Sequence, residues 1–96
     1  MDEPVQTFAS VWEALEETPE EAANMRLRSQ LAIALRGVVE AWATTQAQAA
    51  RRLGVTQPRL NELLRGRLER FSLDTLIGLA ERAGLAVRIE ITRAAA

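Results

Sequence analysis

From Met25 the apolar positions Leu27, Leu31, Leu35, Val38, Val39 and Trp42 follow at three- and four-residue steps, the spacing that lines one face of a long amphipathic helix. Thr18 is placed to cap that helix, Pro19 suits its first position, and Glu20 and Glu21 meet its positive end. Upstream, residues 1–9 carry no periodicity, while Ser10 with Val11, Trp12, Ala14 and Leu15 predicts a short helix ending before Thr18. Downstream, Thr45 caps a stretch whose inner positions are Ala49, Ala50 and Leu53, with Gln48 placed to complete a capping box. Gly54 stops it, and Thr56 caps the next stretch, with Pro58 in its first turn and Leu60, Leu63 and Leu64 inward. Residues 67–71 read as a connector, after which Ser72 caps a helix with Leu73, Leu76, Ile77 and Ala80 inward and Gly84 beyond its end. Then the period changes to two: Val87, Ile89 and Ile91 alternate with Arg88, Glu90 and Thr92, which predicts a strand. No other stretch alternates, and an unpaired edge strand is a liability, so the expected partner is the same strand of a second copy. The expected architecture is mainly α, five helices with one C-terminal β-strand pairing across a dimer. An acidic N-terminal arm, 1–17, precedes a single domain, 18–96.

Residues 45–66 satisfy the demands of a helix-turn-helix in one register: Ala50 is small where two helices cross, Gly54 makes the tight turn, and Val55 plugs the angle between them. The order Gln46, Ala50, Gly54, Leu60 resembles the motif of the phage-repressor, or XRE, family of DNA-binding proteins. That resemblance implies base-reading roles for the positions of Gln57, Pro58 and Glu62, and phosphate contacts for those of Gln46 and Thr56. The residues themselves point the same way. Leu60, Leu63 and Leu64 fix the buried face of the second motif helix, which turns Pro58, Asn61, Glu62 and Arg65 outward and leaves Gln57 and Arg59 on the flanks of its first turn. Gln57 and Asn61 suit adenine, Arg59 suits guanine, and Glu62 can accept from cytosine N4. Pro58 offers only an apolar contact, as to a thymine methyl. Arg65 and Arg67 leave the helix toward the flanking DNA backbone.

The chain of 96 residues is sized for one domain and contains neither Cys nor His, which excludes thiolate chemistry and removes the commonest general base and metal ligand. An enzyme is not expected, nor a cofactor. Without a leader-like segment or an apolar stretch of bilayer length, the chain reads as cytoplasmic and free of membranes. The net charge of -1 conceals a division along the sequence: seven acids and no base precede Arg26, whereas all 12 basic residues, every one Arg, stand from there onward against six acids. The basic part suits a polyanion. Over nearly its whole length the chain also resembles the compact HigA-like antitoxins of bacterial toxin-antitoxin modules. The resemblance implies a dimer that represses its own operon and neutralises a basic RelE/HigB-type ribonuclease toxin, a partner the acidic arm would suit electrostatically. A free-standing regulator without a toxin, and a toxin-binding protein that no longer binds DNA, are the alternatives.

Overall fold

The computed structural model describes residues 18–95, among which the chain forms four α-helices and one 3-10 turn. Helix α1 spans Pro19–Trp42. Its start is fixed reciprocally: Thr18 Oγ1 accepts from the Glu21 N–H at 3.1 Å, and the Glu21 carboxylate accepts from the Thr18 N–H at 3.2 Å. Both are donors that no helical carbonyl can reach. Ala32, Leu35 and Val39 carry the buried stripe, flanked by Leu31 and Trp42. Leu27, expected in the same stripe, is 44% exposed. It stands eight residues from Leu35 and therefore about 80° around the helix, on the rim of the buried face.

Helix α2 spans Gln46–Leu53 and helix α3 spans Gln57–Leu64. A 3-10 turn, Leu68–Arg70, leads to helix α4, Leu73–Arg82. Helices α2 and α3 pack on each other, and α1 packs chiefly on α4 while also touching α3 and the 3-10 turn. Around fully buried Leu35 converge Ala49, Ala50 and Leu53 of α2, Leu60 and Leu63 of α3, and Leu76, Leu79 and Ala80 of α4. Phe71, read from the sequence as part of a connector, is among the largest fully buried side chains. It directly precedes the Ser72 cap, the position from which an apolar side chain staples the start of the following helix, and Leu76 is the buried fourth residue of that helix.

The four α-helices expected within the described residues all form, and the short helix expected at residues 10–15 lies outside the described range. One expectation is corrected: there is no strand among the described residues. Residues 85–95 follow Gly84 without a ladder partner, Val87 packing against the core while Ile89 is 74% and Ile91 is 90% exposed. Alternation decides which side chains face inward, but a strand exists only through hydrogen bonds to a neighbour, and among the described residues this segment has none.

Candidate nucleic-acid interface

The turn between α2 and α3 rests on local chemistry. Gly54 takes φ +73°, a left-handed conformation that costs a residue with a Cβ, and its bare Cα leaves room for the Arg82 guanidinium. Arg82 uses that room to donate to the Leu53 carbonyl at 3.0 Å, one of the acceptors left open at the end of α2. The Val55 N–H donates to the Ala50 carbonyl at 3.0 Å. Thr45 Oγ1 accepts from the Gln48 N–H at 3.1 Å, and Thr56 Oγ1 from the Arg59 N–H at 3.2 Å, so each motif helix begins with a capped end. The box expected from Gln48 is half formed: Thr45 accepts the bond, and the Gln48 side chain returns none. Ala50, 3% exposed, is small enough to let α2 and α3 pack closely.

Gln57 and Pro58 stand exposed on the first turn of α3, with Gln46 and Thr56 exposed at the two helix starts. Because Pro58 has no N–H and that of Arg59 is used by Thr56, the Gln57 amide is the first-turn donor left to meet an oxyanion. Arg65 and Arg67, at the exit of α3, are exposed and form no salt bridge among the described residues. Asn61 is half-buried on the same helix.

Arg59 and Glu62 are engaged elsewhere. The Arg59 guanidinium lies 4.0 Å from the centre of the Phe71 ring, donates to the Arg70 carbonyl at 2.8 Å and stands 3.7 Å from the Glu62 carboxylate. Glu62 in turn pairs with Arg70 at 3.3 Å. A helical wheel gives the direction in which a side chain departs, not what a long arginine can reach. Here it reaches back to the connector and ties α3 to the segment before α4.

Other arginines do similar work that sequence reasoning missed. Arg28 donates to the Leu68 carbonyl at 2.7 Å and to Asn24 at 2.7 Å, and Arg36 donates to the Leu64 carbonyl at the end of α3. Arg52 lies 3.9 Å from the centre of the Trp42 ring and braces α1 against α2. The signal available was the number of chain turns in so short a sequence, each leaving carbonyls that a multi-donor guanidinium can satisfy.

A helix-turn-helix domain family matches residues 14–92 of the chain. Among curated proteins, none matches it. One solved structure, described as an XRE-family transcriptional regulator, is 36% identical, superposes with a TM-score of 0.71, and aligns over 79% of this chain and 91% of its own. With two capped helices at a glycine turn, an exposed first turn on the second and a match over most of the sequence, the chain belongs to the XRE-type helix-turn-helix family of DNA-binding transcriptional regulators.

Proposed function

We propose that the chain is a repressor that binds a palindromic operator as a homodimer and acts as the antitoxin of a HigBA-like pair, with a basic RelE/HigB-type ribonuclease as its toxin. The observation that carries the DNA reading is the exposed first turn of α3, Gln57 and Pro58, together with exposed Gln46 and Thr56 at the two helix starts and the exposed cations Arg65 and Arg67 after α3. Gln57 and Asn61 then read bases by hydrogen bonds, Pro58 touches a thymine methyl, and Gln46 and Thr56 hold phosphates. Arg59 and Glu62, which pair with each other, support that surface from behind in the free protein.

The dimer reading is supported by the tail, where Val87, Ile89 and Ile91 alternate with polar residues and no ladder forms among the described residues. The antitoxin reading is supported by the seven acids before Arg26. Among the described residues no helix is long and apolar enough to cross a membrane.

Arg67→Ala is expected to weaken binding to all DNA sequences alike and to flatten the dependence of log affinity on log salt by about one unit. An operator titration at several salt concentrations measures it, and a loss confined to one base pair would contradict a phosphate role. Co-expression with a basic RelE/HigB-type ribonuclease is expected to give a complex that loosens as salt is raised. If no complex forms at low salt while the operator is bound, the antitoxin reading fails and a free-standing regulator remains.

A further inference from the structure

Arg26, Ile33 and Glu40 recur on α1 at seven-residue steps, which bring each within about 20° of the one before, so the three form a nearly straight row along the helix. The row lies on the side opposite Leu35. Gln30, Ala34, Gly37 and Ala41 share that outward side, all exposed, and Ile33 at its middle is 71% exposed. A solvated helix face usually carries charge. This one has a cation at one end, an anion at the other and an isoleucine between them, with an uncharged strip along one side and, along the other, Arg36, which is turned to the Leu64 carbonyl and to Glu40.

Such an order is complementary to itself in one orientation only. If two copies of α1 pack antiparallel about Ile33, the isoleucines meet each other, and because residues 26 and 40 are equally far from 33, Arg26 of each copy faces Glu40 of the other. A parallel pair would set like charges together. The absent side chain at Gly37, over which the space is open, and the methyl of Ala34 allow the axes to approach closely. Leu27 and Gln30, at the edge of this strip, also border the groove lined by Val87 and Ile89, so the helix row and the tail adjoin.

We propose that the Arg26–Ile33–Glu40 row is the helical seam of a homodimer, packed antiparallel about a two-fold axis at Ile33. The seam rests on the dimeric reading given above and adds to it the contact that sets the two recognition helices relative to each other.

Sedimentation equilibrium on the full chain tests it, with a melting curve for each variant. Arg26→Glu and Glu40→Arg each place like charges across the seam and are expected to raise the dimer dissociation constant about tenfold or more, while the double exchange restores it to near the wild-type value. Folding is not at risk, because Ile33 and both charged residues are exposed and the only described partner of Glu40 is an exposed pairing with Arg36 at 3.8 Å. Ile33→Arg is expected to dissociate the dimer as well. A dimer that ignores Arg26→Glu and Ile33→Arg but separates with Ile89→Lys overturns the seam and leaves the tail as the dimer contact. A monomeric wild type overturns both the seam and the dimeric reading. An intact dimer that loses a basic ribonuclease on Ile33→Arg also overturns the seam and gives that face to the toxin.

Discussion

Phe71→Ala is expected to remove about 3–5 kcal/mol of folding stability, the usual range for deleting a buried aromatic side chain. The ring is 2% exposed and joins the cluster that gathers residues from all four helices. Removing it leaves a cavity where α1, α3 and α4 meet, withdraws the surface on which the Arg59 guanidinium lies, and unstaples the start of α4. A domain of this size has about 5–15 kcal/mol in total, and about 4–8 °C of melting temperature accompanies each kcal/mol, so the melting point should fall by roughly 12–40 °C. Urea unfolding should show a lower midpoint with little change in slope, since the surface exposed on unfolding is nearly the same. Phe71→Leu should lose much less, because it keeps most of the apolar volume. A Phe71→Ala variant melting within a few degrees of wild type would mean that the ring is peripheral to the core.

The parts of the fold that depend on neighbours in sequence were readable from the sequence. Thr18, Thr45, Thr56 and Ser72 were expected as helix caps, and in all four the side-chain oxygen accepts from the backbone N–H three residues on. Gly54 was expected to take a left-handed turn and does so. These features follow from a few covalent bonds and one or two hydrogen bonds. Phe71 escaped notice because residues 67–71 have no helical period, although an apolar residue just before a serine cap was a local signal of burial. The tail was misread for a different reason. Its alternation is real, yet a strand needs a ladder partner, and the described residues supply none.

The candidate site divides along the same line. Gln57 and Pro58 are exposed as their positions on the helix require, since neither side chain is long enough to find a remote partner. Arg59 is long enough, and its ring contact and carbonyl bond are set by the packing of the connector against α3, which no wheel contains. Arg28, Arg36 and Arg82 repeat the lesson by donating to carbonyls of residues 28 or more positions away.

That division yields an expectation for operator specificity. Gln57→Ala should cost about 1–3 kcal/mol at one base pair per half-site and little elsewhere, the signature of a lost bidentate base contact. Arg59→Ala should behave otherwise. Its guanidinium is held by the Phe71 ring, the Arg70 carbonyl and Glu62, so its loss should lower stability and weaken binding to every operator variant by a similar factor, because α3 is no longer tied to the connector. Arg59→Lys retains a cation but not a planar group that can both stack and donate, and should rescue only part of the effect. Competition assays against a panel of single-base operator variants separate the two substitutions, with melting curves run alongside. If Arg59→Ala instead changes preference at a single base pair while the protein melts as wild type does, the arginine must leave its place on Phe71 when DNA binds and read guanine directly. A uniform loss from Gln57→Ala, with no base singled out, would move that residue from the bases to the phosphate backbone.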